Sequence, residues 1–252
     1  MVEFELSPLD DIEPWGSAPN LSLHWFGLSD GLYHLELGST RLLEYSSVKG
    51  WPQFVEYQLA RIHEDLIEML PDVVEVVPPS VSDQFRDGSL GATLLHLRSA
   101  WESREDVDVN LDAAIEALGG RALDTAYLSP SAGIWIWSSA TKTVIEWDNR
   151  GRLLNGNPAW TAQNGRHELS RDQFLEEMIS FDRRLMETMG SRIRAVTASW
   201  TRPEVKIDFK RLAAEHVERG TWLDSAVRHG PRIRDWQAVQ EVLSRTQSGR
   251  SA

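Results

Sequence analysis

The residues of this chain whose types and spacing could do chemistry together are His24, His34 and Glu36. If residues 21–26 and 32–37 are two strands joined through 27–31, Phe26 faces Leu32, His24 faces His34 and Ser22 faces Glu36. Directly opposed residues on paired strands have Cβ atoms about 4.5–5.5 Å apart. Two imidazoles and a carboxylate so placed could hold a divalent ion with an open position, or form the polar site of an enzyme. The set lacks a complete ligand shell, and a one-residue change of register would disperse it. The expectation is therefore a chain with no metal and no cofactor.

Two other stretches imitate sites and fall short. Asp106-Val107-Asp108-Val109-Asn110 starts like a calcium-binding loop, but Leu111 stands where glycine is required and Ala117 where a bidentate glutamate is required. Asp108 or Asn110 as a helix N-cap accounts for it better. His63-Glu64-Asp65 has no second histidine at the helical spacing of a zinc protease. The chain also has no G-x-S-x-G elbow, phosphate-binding glycine loop or dinucleotide fingerprint. It has no cysteine, which excludes disulfides, thiolate metal sites and a cysteine nucleophile.

Charge offers a different kind of site. The net charge of −12 is unevenly spread. Residues 1–120 hold 6 basic and 22 acidic side chains, and residues 121–252 hold 20 and 16. An acidic half repels nucleic acid and attracts a basic protein. Glu56, Glu64, Asp65 and Glu68 are the candidate contacts, on a helix expected over 52–70, away from its apolar stripe of Phe54, Leu59, Ile62, Leu66 and Met69. The 22 arginines against 4 lysines read as the mark of a GC-rich genome.

The elements that must position these residues are mixed. Strands are expected at 21–26, 32–37 and 41–45, with Tyr33, Leu35 and Leu37 on one face. Pro52 suits a helix start and Pro71 its end. Helices follow near 89–102 and 110–118. Ile134-Trp135-Ile136-Trp137 and Val144-Ile145-Glu146-Trp147 are aromatic and β-branched strands, the first apolar on both faces and so either covered on both sides by helices or exposing a binding surface. Asn164-Gly165 predicts a two-residue hairpin turn between 160–163 and 166–169. Ser170 and Gln173 fit a capping box opening a helix to about Met189. Helices near 208–219 and 235–245 precede a polar tail, 247–252. Gln53-Phe54-Val55-Glu56 and Gln173-Phe174-Leu175-Glu176 are alike enough to raise an internal duplication. The expected fold is α+β, antiparallel meanders packed against several helices, one domain over 1–252 or two halves at 1–120 and 121–252.

Three groups of residues carry a resemblance. They are Pro14-Trp15-Gly16 with residues 23–31 (LHWFGLSDG), the helix through Tyr57 and Glu64-Asp65-Leu66 to Leu70-Pro71, and Trp160 to Gln163 with residues 181–186 (FDRRLM) and Trp200 to Val205. Together they resemble a mostly actinobacterial family of unknown function. The resemblance implies a bacterial, cytoplasmic protein and transfers no catalytic or binding residue. The N-terminus has no signal-peptide pattern and no run is long and apolar enough to span a membrane. Two functional readings stand. One is a non-catalytic binder, immunity- or antitoxin-like, meeting a basic partner through its acidic half. The other is an enzyme with a polar site near His24, His34 and Glu36.

Overall fold

A computed structural model describes residues 1–47, 49–104 and 106–248, which form an α+β fold of antiparallel sheets packed with helices. In chain order the first elements are β1 (Val2–Leu6), α1 (Trp25–Leu28), β2 (Asp30–Leu37), β3 (Thr40–Leu42), β4 (Val55–Gln58), α2 (Leu59–Val74), α3 (Pro79–Ser82), α4 (Leu90–Glu102) and α5 (Val109–Gly119). Then come β5 (Ile134–Ser138), β6 (Lys142–Asp148), β7 (Leu153–Leu154), β8 (Asn157–Pro158), β9 (Asn164–Ser170), α6 (Arg171–Ala198), α7 (Phe209–Arg219), α8 (Trp222–His229) and α9 (Trp236–Ser248). The last four residues of the expected polar tail lie outside the described residues. The chain forms two compact units. The first comprises Met1–Ile67, Ala159–Ala162 and Leu175–Arg228; the second comprises Glu68–Pro158, Gln163–Phe174 and the described part of His229–Ala252.

The first unit is built on β2. Its alternation buries Tyr33, Leu35 and Leu37 on one face, as the sequence pattern predicts. β1 pairs antiparallel along one edge, with Val2 opposite Leu35. β3 and β4 share the other edge, β3 against Leu35–Leu37 and β4 against Asp30–Tyr33. From α6, Phe181, Leu185, Met189, Ile193 and Val196 recur at helical spacing and are buried.

Four expectations from the sequence are corrected. Residues 21–26 are not a strand: Ser22 forms isolated bridges to Trp15 and Lys206, and Trp25 already begins α1. No helix starts at Pro52, because Val55 and Tyr57 pair with β2 first. Helix α2 starts at Leu59, where Ser29 accepts from the Leu59 amide with its carbonyl (2.8 Å) and from the Ala60 amide with its hydroxyl (3.0 Å). That cap comes from 30 residues upstream, so no local pattern announces it. Nor does Pro71 end α2, which runs to Val74. The duplication also dissolves, since residues 53–56 lead into a strand and 173–176 lie within a helix.

In the second unit the sheet order is β5-β6-β9. All five residues of β5 are buried. It sits at the end of the ladder, yet its outer edge is closed by Val77 N–H donating to Ser138 O (2.8 Å), Leu123 N–H to Ile134 O (3.0 Å) and Ile136 N–H to Arg121 O (2.8 Å). Trp135, Trp137 and Val144 pack with Leu90, Leu94 and Leu97 of α4 and Val239, Val242 and Leu243 of α9. The Asn164-Gly165 turn is not formed. Both residues lie in β9, opposite Asp148 and Trp147 of β6. Glycine is required there for a different reason: a Cβ on Gly165 would lie 2.4 Å from the Trp147 ring. The capping box does form, with Gln173 N–H donating to Ser170 Oγ (3.1 Å) and Ser170 N–H to Gln173 Oε1 (3.0 Å). Asp108 caps α5 by accepting from the Asn110 and Leu111 amides, both at 3.1 Å. Helix α6 continues past Met189 to Ala198, and α8 lies in a stretch where no helix is expected from sequence.

Charge is buried in this unit as a network. Arg121, fully buried, donates to Glu75 at 3.0 Å and lies over the Trp236 ring at 4.8 Å. Asp72 accepts from Arg232 and Arg234, both at 2.9 Å. Glu75 also accepts from the Arg234 amide (2.6 Å) and the Trp236 indole (3.1 Å). Burial pulls the Arg121 pKa down, while Glu75 and Asp72 oppose that pull.

Gly165→Ala is expected to cost about 1–3 kcal/mol, because the buried Trp147 ring must shift to admit one methyl group. Urea unfolding measures it. An unchanged midpoint would mean that the ring does not restrict this position.

Candidate functional site

Segments far apart in sequence build a groove on the first unit. Trp15 and Ser22 exchange both backbone hydrogen bonds at 2.9 Å, which folds residues 15–22 into a closed loop. Leu23 N–H donates to Lys206 O (3.1 Å) and Lys206 N–H to Leu21 O (2.9 Å), pinning 21–23 beside 206. Arg202 donates to Ile12 O at 2.7 Å, and Trp200 Nε1 to Val205 O at 3.1 Å, which hold the entry to α7. Asp208 then caps α7, accepting from the Arg211 amide at 2.9 Å. The helical repeat carries Arg211, Glu215 and Arg219 along one stripe. The result is an open groove of about 510 Å³, its walls including His24, Phe26, Lys206, Arg211, Leu212 and Glu215.

The anchor of this wall is Arg219, whose side chain is only 7% exposed. Its guanidinium lies between two indoles, 4.4 Å from the Trp25 ring and 4.5 Å from Trp222. It donates to Glu64 at 2.6 Å and to Glu215 at 2.9 Å. Trp25, fully buried, donates through its indole N–H to His216 Nδ1 at 3.3 Å. His24 caps α1, its Nδ1 accepting from the Gly27 amide at 3.4 Å. Trp15 packs edge-on against His24 (4.7 Å) and Phe26 (6.0 Å). An imidazole whose Nδ1 accepts carries its proton on Nε2 when neutral, and both histidines are held toward the neutral form. Burial lowers the His24 pKa; Glu215 opposes this, while Arg211 and Arg219 add to it. Burial and then Arg194 lower that of His216.

The residues singled out from sequence fall in different places. His34 pairs with Glu3 across β1–β2 and stacks on Phe54 at 4.1 Å. Glu36 is opposite Arg41. The charges that act on His34 are Arg41, Glu36, Glu3 and Glu44, while those on His24 are Glu215, Arg211 and Arg219. The two histidines thus occupy separate environments, because the strand that was to pair them is absent. Among the described residues no group of three or more histidine, aspartate or glutamate side chains gathers as a metal-ligand set. The four acidic candidates are likewise divided. Asp65 is buried and paired with Arg61 at 3.1 Å, Glu64 belongs to Arg219, and Glu56 and Glu68 are exposed.

Sequence reasoning missed Lys206, Arg211, Glu215, His216, Arg219 and Trp222. The 211/215/219 spacing was visible as a charged helix stripe, but nothing local tied it to His24. A second open groove, of about 560 Å³, lies in the other unit along α5 and α9. Several of its polar groups are paired: Arg245 binds Asp108 (3.2 Å), Gln237 binds Glu241 (3.1 Å) and Ser244 binds Gln84 (3.0 Å). The first groove is the one that sets two exposed cations beside an aromatic side chain.

Arg219→Met is expected to lose about 2 kcal/mol, less than a fully buried pair would, since Glu64 and Glu215 keep some access to water. Arg219→Lys should recover part of it, because lysine keeps the charge but not the planar fork between two indoles. Full recovery of the wild-type urea midpoint in Arg219→Lys would refute the stacking role. The histidines set a pH dependence. Their folded pKa values lie below the ordinary value of about 6.5, so the unfolded chain binds more protons just below it. Stability should be full above about pH 6.5, fall as pH drops through that value, and level off below the folded pKa values. The pH 7.5-to-5.5 change in urea midpoint should shrink in His216→Asn.

The sequence pattern of the family of unknown function DUF5984 matches residues 1–242, and the chain belongs to that family. No curated protein and no solved structure matches it.

Proposed function

We propose that this member of a family of unknown function is a binding protein rather than an enzyme, and that its ligand sits in the groove of the first unit. The observation that carries the reading is how the groove's groups are used. His24 Nδ1, the Asp208 carboxylate and the Glu215 carboxylate are the groups from which a general base would be drawn. Each is already bound within the fold, to the Gly27 amide, the Arg211 amide and Arg219 respectively. The rest of the lining sets half-buried Phe26, with Leu23 and Leu212 buried behind it, beside the exposed basic side chains of Lys206 and Arg211. A concavity that sets apolar side chains beside convergent polar ones suits retention of a small molecule.

The test is a thermal-shift screen of a chemically mixed metabolite set against the full chain and against Ser22→Trp, which fills the groove. Ligands should raise the midpoint of the wild type only, and mass spectrometry should recover them chemically unchanged after incubation. Turnover of a hit would make the chain an enzyme. Equal stabilisation of Ser22→Trp would place the ligand elsewhere.

A further inference from the structure

We infer that the ligand of this groove is a small organic anion, its carboxylate or phosphate held by Arg211 and Lys206 and its apolar body against Leu23, Phe26 and Leu212. The inference rests on the groove being the ligand site, and it follows from a count of commitments. Two cations and two carboxylates line the groove. Both carboxylates are already engaged: Asp208 accepts from the Arg211 amide at the start of α7, and Glu215 accepts from Arg219 at 2.9 Å. Behind Glu215, the same guanidinium is shared with Glu64. The cations are not so engaged. Arg211 is exposed, and its guanidinium makes no hydrogen bond or ion pair among the described residues. Lys206 Nζ reaches only the Asn20 amide oxygen, at 3.4 Å.

The groove therefore offers two exposed cationic side chains, Lys206 and Arg211, on a chain whose net charge is −12. A guanidinium presents parallel N–H donors that match a carboxylate or phosphate edge. His24 adds a neutral donor: its Nδ1 accepts from Gly27, so the ring proton is on Nε2. A cationic ligand would meet Arg211 and Lys206 at the groove, where Glu215 is already held by Arg219. The volume of about 510 Å³ suits a metabolite-sized molecule.

The experiment is calorimetric titration of the full chain with three probes of one shape: phenylacetate, phenyl phosphate and neutral phenylacetamide. The acid or the phosphate ester should bind at least about tenfold more tightly than the amide, the difference a charge-assisted bond makes. Which anion binds better identifies the headgroup. The double variant Arg211→Ala, Lys206→Ala should lose that preference. Both positions are exposed, so an unchanged thermal midpoint will show that the fold is intact. Affinity for the anions should fall as salt rises, because the groove is open to screening. Equal binding of acid and amide, or loss of it only in Ser22→Trp, would overturn the anion inference while leaving the groove as the site. Anion binding that survives Ser22→Trp would remove the groove itself. Failure of both anions to bind would also overturn the inference.

Discussion

Arginine is the residue on which this architecture depends. In the first unit Arg192 donates to the carbonyls of Leu28 and Ser7, Arg184 to Val2 O and Glu3, Arg202 to Ile12 O, and Arg219 to Glu64. In the second, Arg171 reaches Val74 O, Arg121 reaches Ala117 O and Glu75, and Arg232 and Arg234 converge on Asp72. Each bond ends on a backbone carbonyl or a carboxylate. A guanidinium has five donors in a rigid fork and stays charged when partly buried, so one side chain can serve two segments. An arginine-rich, lysine-poor composition read from sequence as genomic bias is, in the folded chain, a set of cross-links between irregular segments and helices.

The uneven charge of the two halves has the same explanation. Glu3 with Arg184, Glu64 with Arg219, Asp72 with Arg232 and Arg234, and Asp108 with Arg245 each join an acid from residues 1–120 to a base from 121–252. These four acids are thus answered within their own units. The buried ones, at Arg219 and Asp72, add little net stability over an apolar replacement, but removing one partner strands the other at a high cost. Their effect is to specify which segments meet, and the Arg121–Glu75–Asp72 cluster does so for the approach to α9.

The groove inherits its form from these links. Arg219 immobilises Trp25 and Glu215 from behind, and the bridge from 21–23 to Lys206 sets the opposite wall. Because the carboxylates and His24 Nδ1 are spent on the scaffold, the side chains left for a ligand are few and mostly basic. A rigid wall with a small number of free polar tips limits what can be held more sharply than a flexible one, since little ordering is needed on binding.

Much of the regular structure was legible in the sequence, for local reasons. The alternation in β2, the double-sided apolar run of β5, the Ser170–Gln173 capping box and the Asp108 cap all depend on neighbours within a few residues, and all are present. The rest depends on distant contacts. Residues 53–58 read as a helix start, yet β2 was available to pair with them, and Ser29 rather than a local residue caps α2. Asn164-Gly165 read as a turn, yet the same glycine serves in a strand because the Trp147 ring needs the space above it. His24 and His34 read as neighbours because a strand was assumed between them; a pair of bridges to Trp15 and Lys206 took the chain elsewhere. The sequence by itself determined the α+β class, most elements and the family resemblance, since hydrophobic period and capping chemistry are short-range. Only the tertiary structure decided which charges are spent and which are free, because an ion pair between residues 64 and 219 leaves no trace in the local order of either.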